Sequence, residues 1–533
     1  MRWFRENRRV KVFIYLLVLF GISLWVRLVH FRTLYPYFLY QDELRQTKIS
    51  LKILKEKTLE PDFYLYPHLT FYLNAGAFAG YFLLKNLPEI LKARSLKPLK
   101  VFIANFDPAS WKAIRLARLL ALVFGLACLF GFWLLARLLL GEDWGFFASL
   151  IFSLLPLSVT FSYLAKVDIF MLCFCVFSLY FQVLLIREGR LRDFLLASFF
   201  AGLALDTKIN FFPFLSLFFA LLIRARLEGA SFKKWIKDRR IWLAGAVGIL
   251  SSFIFSPLYY LHFDRALEMI GWMYFLGELN SFYHIDPHSF WLDKYSYGLV
   301  VILPFILGYP VYLVSLAGAL ERIIKVDFKE WFLMLVNIVA FTYTFMSQTD
   351  SYLIYLFMYV MMFYVLFCAQ ATRWIWQRGR KRSAFVLAGI LLFICLLRSQ
   401  NFYAISFRAF DQSGRWLAEL PAKTRVLAYS VYLPGPRLSH LNYVRAWPQN
   451  LDLKPIKKFN PDYILIYLSD FAGFEKFYRH LPIAQRLKKL LNGKWEFKVI
   501  FEYEVFYPED FIFKWLDKEF VIKLLILKRT PAK

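Results

Sequence analysis

Residues 113–139 read AIRLARLLALVFGLACLFGFWLLARLL. Between Arg118 and Arg137 the run carries no charge, and an α-helix needs about 20 predominantly apolar residues to cross the hydrocarbon core of a bilayer. The stretch is therefore a membrane span with an arginine near each end. Composition says the same of the whole chain. Of its 533 residues 59% are hydrophobic and 20% aromatic, whereas globular chains run to roughly 45–50% apolar, so the excess must face lipid. Disorder, fibrous repeats and an ordinary soluble enzyme are excluded by the same figures.

Working outward, comparable apolar stretches lie near 11–29, 144–163, 168–186, 193–207, 208–224, 241–260, 298–320, 331–347, 352–371 and 383–398. With the first span this makes about eleven crossings in an α-helical polytopic membrane protein. The first of these spans, after a basic head and without a small-residue cleavage site, reads as a signal anchor.

Sixty-six Lys and Arg against 38 Asp and Glu give a net charge of +28. In a soluble protein this would suggest nucleic acid, but the cations sit in short clusters between spans, at 2–11, 187–192, 224–240 and 373–382. That pattern orients a membrane protein, so no nucleic-acid partner is expected. An N-terminus in the cytoplasm puts every strongly basic loop inside, in the plasma (inner) membrane. Making 69–84 a further crossing would invert all later loops, so this apolar segment reads as re-entrant or interfacial. The region 30–111 becomes one external loop, with 44–59 patterned as an amphipathic helix suited to the membrane surface.

Past residue 398 the pattern changes. Strand-like runs at 425–432, 463–468, 496–503 and 520–527 alternate with helix candidates at 474–480 and 484–491. The chain thus divides into a membrane domain, 1–398, and a small extracytoplasmic α/β domain, 399–533. Its aromatics Tyr429, Tyr432, Trp447 and Tyr507 suit a core as well as a stacking platform for a ligand. No nucleotide-binding loop occurs. The five cysteines, Cys128, Cys173, Cys175, Cys368 and Cys395, all fall in apolar spans and match no metal-ligand spacing.

Charges at membrane depth are costly and mark function. Asp42 and Glu43 follow the first span, Arg118 lies near the outer end of the second, Asp168 opens the fourth, and Lys208, beside Asp206, separates the fifth from the sixth. All fall on the outer side. An adjacent carboxylate pair facing cations suits a group transfer in which an acid takes a proton from an acceptor hydroxyl while cations hold an anionic leaving group. The rival use of Asp42, Glu43, His68 and Asp168 is a divalent metal, but neither HExxH nor a DxD in the first loop supports it. No required cofactor is the expectation.

The order Asp42-Glu43, Tyr66-Pro67-His68-Leu69, RLLALVFG (118–125), SYLAKVD (162–168) and GLALDTKINFF (202–212) resembles the protein O-mannosyltransferase and lipid A aminoarabinose transferase superfamily, membrane glycosyltransferases of GT-C fold. The resemblance implies Asp42 as catalytic base with Glu43 its neighbour, and Arg118, Asp168 and Lys208 shaping the cavity and holding donor phosphate. His68 replaces the second of two prolines usual in the family and is a candidate substrate contact. Tyr66 stands where aminoarabinose transferases carry a lysine, which weakens a lipid A substrate.

The function so implied is an inverting glycosyltransferase that moves a sugar from a polyprenyl-phosphate donor to a hydroxyl acceptor of protein, lipid or glycan. The alternatives are a transporter or flippase, and a non-catalytic assembly factor for lipid-linked glycans. An oligosaccharyltransferase shares the fold, but its WWDxG-type motif is absent.

Overall fold

Long apolar runs without internal proline form the membrane framework. In the computed structural model, which describes residues 8–33, 41–108, 110–275, 299, 303–325, 329–345, 358–429, 441–446, 453–467, 482–492, 497–505 and 522–529, five helices are long and apolar enough to cross a bilayer. They are Arg8–Phe31, Trp111–Leu140, Val167–Glu188, Met358–Gln377 and Lys381–Ser399. The protein is a multi-pass, α-helical membrane protein. Val167–Glu188 and Met358–Gln377 are apolar on every side and lie buried in the bundle, as such helices must. Trp25, Val123, Ile249 and Phe385 point outward with more than half of their surface free, which in this setting is a lipid-facing rim.

Several expected spans differ in the structure, and two of them are broken for a local reason. The 144–163 span divides into Glu142–Leu154 and Pro156–Phe161 because Leu155, preceding proline, is extended at φ −63°, ψ 135°. The 298–320 span divides at Gly308, whose φ of +83° suits glycine. The 208–224 span begins only at Phe212. The last span does not stop at 398: its helix runs from Lys381 to Ala418, 38 residues, or about 57 Å at 1.5 Å per residue. The expected boundary at 398/399 therefore falls inside one helix.

That helix leads into a five-stranded sheet of β1 (Arg425–Tyr429), β2 (Asn442–Ala446), β3 (Tyr463–Tyr467), β4 (Phe497–Val505) and β5 (Ile522–Arg529), ordered β2-β1-β3-β5-β4. Strand β1 runs parallel to β2 and β3, and β5 antiparallel to β3 and β4. Trp416 meets Tyr463 edge-on at 5.1 Å and ties the helix to the sheet. Four strands were expected; β2, five residues of mixed polarity, was not. Tyr432, Trp447, Tyr507 and the 474–480 segment lie outside the described residues.

Between the first two long spans the chain forms helices Gln41–Glu56, Leu69–Ala93 and Lys97–Asn105. Leu51, Phe78, Phe82 and Phe106 join Ala113 and Ala117 in one apolar cluster, so this region is packed onto the bundle. The helix expected at a lipid surface buries a stripe at Glu43, Gln46, Thr47, Ser50 and Leu51. A stripe that is polar along most of its length needs protein partners, which lipid cannot supply.

Candidate active site

Helix Gln41–Glu56 opens with Asp42 and Glu43 in its first turn, where the helix dipole favours carboxylates. Adjacent helical residues point about 100° apart, and here they go separate ways. Glu43 turns inward and is fully buried; Arg118 grips it with Nε to Oε1 at 2.7 Å and Nη2 to Oε2 at 2.8 Å. The backbone N–H of Ala165 donates to the same Oε1 at 3.2 Å, and the Arg118 guanidinium lies over the Trp111 ring. Asp42 turns outward with 29% of its side chain exposed.

Ala165 reaches Glu43 because the chain between Phe161 and Val167 is not helical. Gly125 admits this segment: a Cβ there would stand 2.5 Å from the Cβ of Ser162. The segment ends at Lys166, the extended cap of helix Val167–Glu188, and Asp168 sits in that helix's first turn. Opposite, helix Leu191–Thr207 ends and Lys208 is extended at φ −157°, ψ 134°. Asn210 Oδ1 accepts from the Phe212 N–H at 3.0 Å, and Pro213 starts the next helix. Irregular backbone at such a level is tolerated where protein covers it or where it lines a cavity.

The two breaks bring the charges together. Lys208 Nζ donates to Asp168 Oδ1 at 2.8 Å. Lys166 Nζ lies 3.7 Å from Asp168 Oδ2 and 3.7 Å from Asp42 Oδ2. Arg45 reaches Asp42 Oδ1 at 3.3 Å. Asp168 and Lys166 are almost wholly buried, whereas Lys208 keeps 16% exposure. With Glu43 and Arg118 neutralising each other, two carboxylates face three cations, which suits an added anion. Lys166 and Arg45 were not singled out from the sequence; the carboxylates flanking Lys166 identify it only once the fold is known.

Arg118, expected beside a donor phosphate, has its fork closed on Glu43. His68 and Tyr66 gather around Phe63, whose ring lies under the Arg45 guanidinium at 4.9 Å. The His68 ring packs edge-on to Tyr64 and Tyr259 at 5.2 and 5.4 Å, its Nε2 lies 3.2 Å from the Phe63 carbonyl, and its backbone N–H donates to Ser256 Oγ at 2.9 Å. Burial lowers its pKa from 6.5 to about 4. Tyr66 is half-buried and packs near Phe63. Asp206 is fully buried near Ser256. Among the described residues no group of three or more His, Cys, Asp or Glu is placed to hold a metal ion.

Residues 109–260 match the family described as dolichyl-phosphate-mannose-protein mannosyltransferase, a segment holding Arg118, Lys166, Asp168 and Lys208 but not Asp42. Over the whole chain the structure is similar to an oligosaccharyltransferase from Archaeoglobus fulgidus tethered with an acceptor peptide containing the NVT sequon: 10% identity, 91% of this chain and 72% of that one, TM-score 0.51. The fold is GT-C-like. Two ArnT structures from Cupriavidus metallidurans are also similar. The apo state is 14% identical over 86% of this chain and 94% of that one, TM-score 0.49; the form bound to undecaprenyl phosphate is 12% identical over 96% and 97%, TM-score 0.48. A search of curated proteins finds no match. The segment match on a GT-C-like fold supports a glycosyltransferase working with a lipid-phosphate-linked donor.

Proposed function

We propose that the protein is an inverting glycosyltransferase of the plasma (inner) membrane that moves a sugar from a polyprenyl-phosphate donor to an acceptor hydroxyl on the outer face. The observation that carries this reading is the relay Asp42, Lys166, Asp168, Lys208, in which one carboxylate stays accessible while the other is committed to a lysine. Asp42 takes the proton of the acceptor hydroxyl as its oxygen bonds to the anomeric carbon. The bond from that carbon to the phosphate oxygen breaks on the opposite side, and polyprenyl phosphate leaves with the electron pair, its growing charge met by Lys208 and Lys166. Asp168 holds both lysines in place. Glu43 and Arg118 brace the turn that presents Asp42. An external site fed by a lipid-linked donor needs no nucleotide-binding loop, in keeping with a sequence that has none.

The test is purified protein given a polyprenyl-phosphate sugar and a panel of hydroxyl acceptors. Release of polyprenyl phosphate together with a glycosylated acceptor of inverted anomeric configuration is the expected result. Donor bound but never cleaved, with any acceptor, would favour a carrier of lipid-linked glycans instead.

A further inference from the structure

At the end of the bundle away from Asp42, helices Phe212–Leu227, Phe232–Ile236 and Arg239–Phe255 enclose a cavity of about 290 Å³. Its floor is apolar, with Phe194 and Leu221, and its rim holds Arg224, Lys234, Lys237 and Arg240 together with Glu228 and Asp238. Both carboxylates are already committed. Glu228 accepts from Arg224 Nε at 2.8 Å and from Arg240 Nη2 at 2.8 Å. Asp238 accepts from Arg240 Nη2 at 2.6 Å and caps the next helix through the Arg240 backbone N–H at 2.9 Å. Hydrogen bonds from Arg240 hold both carboxyls below their usual pKa range. Lys234 and Lys237 are exposed, and neither forms an ion pair among the described residues. Four cations against two carboxylates leave the cavity two positive charges in excess.

What adjoins the cavity decides the source of the anion. Trp242, Ile249 and Phe253, spaced as one helix face, are 66%, 70% and 41% exposed, and Phe218 on the neighbouring helix is 46% exposed. Trp242 Nε1 donates to the Ile236 carbonyl at 2.7 Å, which holds the indole at the junction between the charged and apolar zones, where tryptophan favours a membrane interface. A soluble phosphate would gain nothing from this wall. A zwitterionic lipid brings its own ammonium group to a site already rich in cations.

We propose that the cavity binds the phosphate headgroup of an anionic glycerophospholipid, whose acyl chains lie along the Trp242–Phe253 face. The site is separate from the transfer chemistry, and its test needs no turnover.

The experiment is native mass spectrometry of the full chain, purified in detergent and offered phosphatidylglycerol and phosphatidylcholine with the same acyl chains. Wild type should retain phosphatidylglycerol preferentially, and more salt should reduce that preference. Each cation near an anionic lipid contributes about 1 kcal/mol, so Lys234→Gln with Lys237→Gln should weaken retention about 30-fold. Lys488→Gln with Lys489→Gln, removing equal charge from helix Pro482–Leu491, should leave it unchanged, and Trp242→Ala should weaken it through the chains. Equal retention by wild type and the Lys234/Lys237 pair, or no preference between the lipids, overturns the proposal. Displacement by millimolar inorganic phosphate would make this a soluble-anion site and overturn the lipid assignment.

Discussion

Arg118 closes a two-point fork on Glu43, with hydrogen bonds of 2.7 and 2.8 Å and both side chains wholly buried. The pair joins the first turn of helix Gln41–Glu56 to the second long span, and so sets where Asp42 stands. Breaking a buried ion pair by removing one partner typically costs about 3–5 kcal/mol, because the remaining charge is stranded. Glu43→Gln and Arg118→Met should each lower thermal stability in detergent sharply. The double variant Glu43→Leu/Arg118→Met should recover much of the loss, since an apolar pair strands no charge. Full stability in either single variant would remove the pair from its bracing role, and would reopen Arg118 as a phosphate ligand.

Lys208 and Lys166 make a different prediction, because both face the buried Asp168 and Lys208 keeps part of its surface open. Truncating one partner of a desolvated charge pair costs about 2–5 kcal/mol. Lys208→Ala and Lys166→Ala should therefore raise the KM for donor by about 1.5 to 3.5 orders of magnitude. Lys208→Arg should also be impaired, since a planar fork does not fit the position of an ammonium group. Steady-state kinetics with the purified donor checks this; unchanged donor kinetics in both alanine variants would take the lysines out of the donor site.

His68 gives a pH signature. Its pKa of about 4 in the folded protein lies below the ordinary 6.5, so the unfolded chain binds the proton more readily. The stabilising contribution of the neutral ring is complete above pH 6.5 and is lost as pH falls from 6.5 toward 4. From pH 7 to pH 5 the loss attributable to this residue is about 2 kcal/mol. Thermal unfolding at the two pH values should show a larger drop for wild type than for His68→Gln. Identical drops would mean that the ring titrates normally.

Orientation is open to a direct measurement. All five cysteines are buried and free, so a cysteine-free background is a reasonable host for single probes. Cysteine at Ser95, just past helix Leu69–Ala93, and at Lys488 should both react with a membrane-impermeant thiol reagent added to intact cells, after outer-membrane permeabilisation where the host has one. Reaction at 488 without reaction at 95 would mean that 69–84 crosses the bilayer.

Much of the framework was legible because bilayer thickness dictates long apolar runs, and Asp168 and Lys208 stand out as charges at the ends of such runs, with Asp42 just past the first of them. The breaks were harder. Leu155 is extended because proline follows it, and the irregular 162–166 segment depends on the absence of a side chain at Gly125, 37 positions or more away in sequence. Lys166 looked like an ordinary cation at the start of a span; only the folded chain places it between Asp42 and Asp168. Likewise nothing in the adjacent pair Asp42-Glu43 says which carboxylate turns inward, since that depends on Arg118, 75 residues further on.

That division of labour makes Asp42 the most exposing test. An acceptor alcohol is a weak nucleophile at neutral pH, and a positioned carboxylate that accepts its proton contributes about 10²–10⁴-fold. Asp42→Asn preserves size and can still contact Lys166 and Arg45 through its carbonyl oxygen, yet it cannot serve as the base. Turnover should fall by about that factor, while donor binding and thermal stability stay near wild type, because Asp42 is partly exposed and its ion pairs at 3.3 and 3.7 Å are loose. Glu43→Gln should show the opposite order, with stability lost first and activity following from the displaced turn. Measuring turnover, donor affinity and melting temperature on both variants separates the two roles. Near-normal transfer by Asp42→Asn would sink the assignment of Asp42, and an inactive but stable Glu43→Gln would move the base to its neighbour.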